Sequence, residues 1–453
     1  MRSAAFFAAL LAIVLSSGAA PPARAAPGEP YAPNEIVVGY GGAARLARAA
    51  RSRKATPART SVLRLPRGTS VAAALARVRR ERGVAWAEPD YVAHASGAFV
   101  PDDSGRLGAR PAGAGPPGWE ELQWNFDGPF GVGAPEAWAN LIADGHAGGS
   151  GVVVAVLDTG VAYANRGPFL RSPDFSRYQF VKGYDFVARN PFPNDRNGHG
   201  TFVASTIAEE TNNGYGLTGL AYGARLMPVR VLDSEGEGEA STIAEGVVFA
   251  VEHGAQVINL SLEFSPGVTA SDIPELIAAL RYAHRRGVLV VAAAGNEGHA
   301  AIAYPARAPD VVSVGATTER GCLASYSNDG PGLTLVAPGG GSDATLPGDP
   351  NCHPEETGRD IYQVTFAGSS PRRFGIPSGY EGTSMATPHV AATAALIIAS
   401  GVLGKHPTPA QITARLRATA RKLGGGGDER LYGAGLLDAA AATAPGGPAT
   451  VAG

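Results

Sequence analysis

GVVVAVLDTG, residues 151–160, carries six apolar residues from Val152 to Leu157 without a polar break and ends them on Asp158. A strand with one wet face alternates apolar and polar positions, so an unbroken apolar run this short predicts a strand buried on both faces. ARLMPVRVLD (224–233), AQVINLSL (255–262) and GVLVVAAAGN (287–296) have the same character. Between them, TIAEGVVFAVEHG (242–254) and IPELIAALRYAHRRG (273–287) place apolar residues at helical spacing. Buried strands alternating with helices predict an α/β fold with a doubly wound, mostly parallel sheet. Ligands of such sheets bind beyond the carboxyl ends of the strands. Asp158 and Asn296 lie at such ends.

The chain has 453 residues, 45% hydrophobic and 17% charged, with net charge −2, 61 glycines and 35 prolines. The length predicts two or three domains rich in turns. No block of like charge invites nucleic acid. Arg2, the apolar run AAFFAALLAIVL (4–15) and Ala23-Arg24-Ala25 have the order of a secretory signal peptide, residues 1–25. The run is too short to span a bilayer. No later segment has eighteen unbroken apolar residues. A secreted chain without membrane anchor, and a monomer, is expected. In an exported chain the two cysteines, Cys322 and Cys352, read as a disulfide.

Charge divides the rest. Residues 26–96 carry +7 and residues 97–453 carry −11. The basic segment predicts a compact α+β unit. Its strands are EIVVGY (35–40) and SVLRLP (61–66), Ser70 caps the helix VAAALARVRRERG, and VAWAEPDYVAHA (84–95) returns to extended chain. The Pro/Gly-rich segment 97–122 reads as a linker or an N-terminal extension. The large domain is expected over 123–443, with a tail at 444–453.

GTSMATPHV (382–390), read alone, is a helix start with Ser384 as N-cap and Pro388 in the first turn. Asp158 in DTG, His199 in GHGT, Asn296 in AAAGNEG and Ser384 in GTSMA are each weak signals taken singly. Together and in this order they resemble the subtilisin-like serine proteases, the subtilases. The resemblance covers residues 120–440, including LVAPGG and YGAGLLDAAAA (432–442). AEPDYVAHA resembles the end of the family's inhibitory propeptide. It implies a secreted endopeptidase made as a self-inhibited zymogen, acting on proteins and peptides, with its own propeptide as inhibitor and folding aid. Ser384 becomes the nucleophile, His199 its base and Asp158 the residue that fixes the imidazole. Asn296 donates to the oxyanion, with support from Thr383. No cofactor is needed for catalysis.

The resemblance also places Ser261, Leu262, Glu263, Ala294 and Gly295 along the pocket for the residue before the scissile bond. Gly236, Glu237 and Gly238 fall on a strand that pairs with extended substrate. The family's usual SLGG is here SLEF, so Glu263 narrows the entrance or attracts a basic side chain. Glu235, Glu237, Glu239 and Glu297 add acid nearby, and a preference for Lys or Arg is the expectation. Calcium is implied as a structural ion held by Gln123, Asp174, Thr211, Asn213, Tyr215 and Leu217. Phe202 stands where many members have a second histidine, and the segment after 340 is long. An α/β-hydrolase esterase would need another residue order. A peptide ligase or cyclase on the same triad, and an inactive binding protein, are the other readings.

Overall fold

The computed structural model describes residues 31–40, 59–66, 69–81, 83–91, 99–108, 118–143, 145–424 and 428–445. The expected signal peptide lies outside the described residues, as do 92–95 of AEPDYVAHA and all but the start of the tail. Two compact units divide the chain, residues 1–97 and 98–453.

In the first unit, β1 (Tyr31–Tyr40), β2 (Arg59–Arg64) and β3 (Val84–Tyr91) form an antiparallel sheet in the order β2-β1-β3. Helix α1 (Val71–Val78) lays Val71, Ala74, Leu75 and Val78 into a small core with Ile36, Val38 and Ala87. Ser70 Oγ accepts the Ala73 N–H at 3.1 Å, as the sequence predicts for its cap. The helix is shorter than expected. Its apolar repeat ends at Val78, and Arg80 and Glu81 close onto Arg77 and Val78 as turns.

The second unit starts with α2 (Ala134–Ala143), β4 (Val153–Asp158) and β5 (Tyr184–Asp185), followed by α3 (His199–Ala208), β6 (Arg225–Arg230) and α4 (Ala240–Glu252). Then come β7 (Val257–Leu260), α5 (Pro274–Arg285), β8 (Leu289–Ala293), β9 (Val311–Thr317), β10 (Leu335–Pro338) and the hairpin β11 (Thr365–Phe366) and β12 (Phe374–Gly375). Helices α6 (Thr383–Ser400) and α7 (Pro409–Thr419) follow. The main sheet is parallel, with order β10-β9-β8-β7-β4-β6-β5. Its strand order turns back between β4 and β7, which makes their carboxyl ends the crevice of the fold.

The unbroken apolar runs have a direct cause. Val154 and Val156 enter the core shared with α2, α3 and α6. Ala155 and Leu157 enter the core shared with α4 and α5. Both faces of the strand are therefore dry. Helix α6 is buried nearly all round from Thr383 to Ile397, so it threads the interior instead of lying on it.

Three attachments matter below. Cys322 and Cys352 are bonded, with Cα atoms 4.9 Å apart. The long segment after 340 reaches α3: Phe202 stacks on Tyr380 at 4.2 Å, in a cluster with Trp124, Ile361 and Met385. Residues 99–108 are hydrogen-bonded to the loop 211–217. Asp102 accepts the Gly214 N–H, Asp103 accepts those of Asn212 and Asn213, and Gly105 and Gly216 exchange main-chain bonds with that loop and Arg106. Among the described residues, no helix is long and apolar enough to cross a membrane.

Candidate active site

Asp158 is the last residue of β4 and fully buried. His199 is the first residue of α3, and its Nδ1 lies 2.8 and 3.0 Å from the two Asp158 oxygens. The imidazole is delivered by a loop wound around Asp195. That buried carboxylate accepts Thr159 Oγ1 and the N–H groups of Asn197, Gly198 and Thr201, and Thr201 Oγ1 at 2.6 Å. A Cβ on Gly200 would stand 2.1 Å from the Gly160 carbonyl and 3.0 Å from Asp158 Cβ. Only glycine lets α3 start this close to the end of β4. Burial disfavours a charged imidazole, but the Asp158 carboxylate and its hydrogen bond outweigh it and raise the His199 pKa.

Ser384 is the second residue of α6 and caps nothing; Gly382, at φ 149°, holds the cap position. The prediction of Ser384 as N-cap is corrected, and so is that of Pro388 in the first turn. Pro388 sits inside the helix. A proline there has no N–H for the carbonyl four residues back, which is that of Ser384. The Ser261 hydroxyl takes the vacant place, donating to the Ser384 carbonyl at 2.8 Å. In return Ser384 Oγ donates to the Ser261 carbonyl at 3.2 Å. The end of β7 and the start of α6 are thus tied together at the serine. Asn259 Nδ2 steadies Ser261 Oγ from below at 2.9 Å.

Asn296 follows β8. Its Oδ1 accepts the Thr383 N–H at 2.7 Å and Thr383 Oγ1 at 3.0 Å. Gly295 N–H also donates to Thr383 Oγ1. The amide is turned so that Nδ2 faces Glu263, which accepts it at 2.8 Å and accepts the Asn296 main-chain N–H at 3.0 Å. Leu262 and Ala294 are buried wall, and the Ala294 carbonyl is occupied by Ala303 N–H and Asn328 Nδ2. Gly236, Glu237 and Gly238 form a turn closed on Asp233, and Asn197 Nδ2 ties Ser234 to the histidine loop at 2.9 Å. Glu235, Glu237 and Glu239 are exposed.

The residues expected to hold calcium also converge. Asp174 is buried; its oxygens accept Asn213 Nδ2 and the Leu217 N–H. Buried Gln123 bridges to the Thr218 main chain through both ends of its amide. The sequence reading missed two neighbours, Asp103 and Glu209. Both are fully buried, and neither Glu209 carboxylate oxygen has a hydrogen-bond partner. Burial raises Asp103 to about 6 and Asp174 to about 8, and pushes Glu209 well up. No Lys or Arg among the described residues pairs with any of the three. Three buried carboxylates with no cationic partner suit a hard divalent cation such as Ca²⁺.

Asp195 was legible in principle, as an Asp three residues before a glycine-led helix start. His389 had no such signal. It is fully buried, its Nδ1 donates to the Met385 carbonyl at 2.9 Å, and Asn125 Nδ2 donates to its Nε2 at 2.8 Å.

A buried aspartate bonded to a half-buried histidine, a serine at a helix start and an amide beyond the next strand end are carried by one doubly wound sheet. This is the architecture of a serine peptidase. Residues 149–435 match the model of the subtilase family, peptidase S8, and residues 17–90 match that of the fervidolysin N-terminal prodomain. The chain belongs to the subtilase family and is a subtilisin-like serine endopeptidase carrying a prodomain. It is similar to Subtilisin BL and Subtilisin Savinase of Lederbergia lenta, each 42% identical over 297 residues, 65% of this chain and 91% of theirs. The thermophilic serine proteinase of Bacillus sp. (strain AK1) is 34% identical over 350 residues, 77% of this chain and 71% of its own. Among solved structures, a protease from Pseudoalteromonas arctica aligns with TM-score 0.58 and 32% identity over 71% of this chain and 96% of its own.

Proposed function

We propose that the chain is a secreted zymogen that cuts itself free of its prodomain and hydrolyses peptide bonds through an acyl-enzyme on Ser384. The observation that carries this reading is the bond from buried Asp158 to His199 Nδ1, which leaves Nε2 without a protein hydrogen bond among the described residues. Ser384 Oγ swings from the Ser261 carbonyl to His199 and gives its proton to Nε2. The oxygen then bonds to the scissile carbonyl carbon. Asn296 Nδ2 and the Ser384 N–H stabilise the oxyanion, in the favourable field at the start of α6. Imidazolium protonates the leaving amine, and water repeats the sequence to release the acid. Asp158 holds the tautomer and stabilises the imidazolium that forms.

The domain reading goes with it: signal peptide 1–25, propeptide 26–96, extension 97–122, catalytic domain 123–443 and tail 444–453. Opposite charges, +7 on residues 26–96 and −11 on residues 97–453, favour association of the prodomain with the rest of the chain. The enzyme works as a monomer without membrane anchor. Calcium serves structure alone, held by Gln123, Asp174, Thr211, Asn213, Tyr215 and Leu217.

The test is the intact mass of purified wild type and Ser384→Ala followed over time. Wild type alone is expected to lose a segment ending between residues 95 and 120. If both chains stay full length, or both are trimmed alike, self-processing by Ser384 is overturned.

A further inference from the structure

The structure spends the oxyanion amide on an internal acid. Glu263 Oε1 accepts Asn296 Nδ2 at 2.8 Å and Oε2 accepts the Asn296 N–H at 3.0 Å. A full negative charge therefore lies one hydrogen bond from the place where the oxyanion develops. Two like charges so close raise the barrier that the amide is there to lower. Glu263 has to move or be neutralised during turnover.

Among the described residues, no Lys or Arg pairs with Glu263. Its polar neighbours are Asn296, Asn328 and Glu297, and Glu297 Oε2 is held by Asn328 Nδ2 at 2.6 Å. The carboxylate is seated in space left by Gly295: a Cβ there would stand 2.6 Å from Glu263 Oε2 and 2.1 Å from Asn328 Nδ2. Burial pushes the Glu263 carboxyl up, the Asn296 side-chain bond pulls it down, and the Glu297 charge adds to the rise. The anion is held there at a cost that a cation would relieve.

The position of the scissile bond says where that cation comes from. Ser261, next to β7, is bonded to Ser384 in both directions, and Gly295, next to β8, is bonded to Thr383. With the carbonyl carbon on Ser384 Oγ and its oxygen at Asn296, the side chain on the acyl side enters between these two strand ends, where Glu263 lies. We propose that Glu263 is a specificity gate: it holds Asn296 against neutral side chains and is drawn off by an Arg or Lys preceding the scissile bond. The cationic substrate so completes the oxyanion site that a neutral one finds engaged. This inference rests on the reading of Asn296 as oxyanion donor.

The experiment uses self-processed wild type, Glu263→Gln and Glu263→Gly, with active sites counted by fluorophosphonate labelling of Ser384. Substrates are peptide anilides identical except for Arg or norleucine before the scissile bond. Wild type should prefer Arg by about tenfold or more, mainly in kcat. Glu263→Gly should raise kcat on norleucine by about tenfold and remove the preference. Glu263→Gln, which keeps an acceptor for Asn296 but no charge, should lose the Arg preference with little gain on norleucine. A wild type that prefers norleucine, or an Arg-to-norleucine ratio unchanged in either variant, overturns the gate. If Glu263→Gly fails to label, the ratio in Glu263→Gln decides. Wild type that neither labels nor cleaves sinks the peptidase mechanism itself, a separate failure.

Discussion

At the scale of the residue, the Asp158–His199 pair sets the pH behaviour. Neutral imidazole is the active base, so a raised pKa moves the acid limb of kcat/KM above the ordinary histidine value. In Asp158→Asn the charge is gone and burial dominates. The acid limb should then shift to lower pH while kcat falls by roughly 10⁴-fold, the cost of a misdirected tautomer in other triad proteases. A pH–rate profile of both enzymes checks the sign; an upward shift in the variant would refute it. Asp195→Ala removes the acceptor for five donors around the same histidine. It should lower kcat/KM and also Tm, because five buried or half-buried donors lose their acceptor and the histidine loop loosens; unchanged kcat/KM would refute the positioning role. The motif residues were legible because each sits in a short pattern with its chemistry exposed. Glu263 was legible only as an oddity in SLEF. Its bond to Asn296 depends on how two strand ends meet, which no local pattern encodes.

At the scale of the element, α6 does two jobs that the sequence let us see only in part. Its apolar, alanine-rich run reads as a helix, but that helix starts two residues earlier than the sequence suggests, which moves Pro388 out of the first turn. The proline frees the Ser384 carbonyl for Ser261, a pairing across 123 residues of chain. Farther along, His389 is buried in its neutral form between Asn125 and Met385, and burial drops its pKa from 6.5 to about 4. The unfolded chain binds this proton and the folded one does not, so stability must fall as pH drops from 6.5 toward 4. The slope from this one group is at most about 1.4 kcal/mol per pH unit. Urea midpoints against pH, in an inactive Ser384→Ala background, should show a shallower slope for His389→Gln. An identical slope would mean that other groups carry the acid sensitivity. Phe202 illustrates a departure from the family pattern that gains its meaning from packing. The ring that replaces a second histidine lies against Tyr380. Phe202→Ala should cost about 3–5 kcal/mol, read in the same midpoints.

At the scale of the molecule, the parallel, doubly wound character of the sheet and its two dry faces followed from apolar runs, since only a strand covered on both sides dispenses with alternation; the strand order did not. What did not follow was how distant segments close around the site. The Cys322–Cys352 bond spans 30 residues, and the chain-entropy estimate for such a loop is roughly 3–4 kcal/mol. Cys352→Ser should lower the denaturation midpoint by a corresponding amount without changing the protease's cleavage preference. The calcium reading makes a separate claim: chelation should lower Tm of the mature enzyme, and added Ca²⁺ should restore it. No change on chelation would remove calcium from the account. Asp103 and Glu209 escaped the sequence reading because they come from an N-terminal segment and a helix end that meet Asp174 only in the folded chain.

The stitching of residues 99–108 to loop 211–217 has a practical side for anyone trimming the gene. A version begun at Gln123, where the sequence places the start of the large domain, would uncover the amides of Asn212, Asn213 and Gly214 and strip the ring of Phe99 from Trp138 and Tyr222. The shortest mature part worth keeping behind the prodomain starts ahead of Phe99.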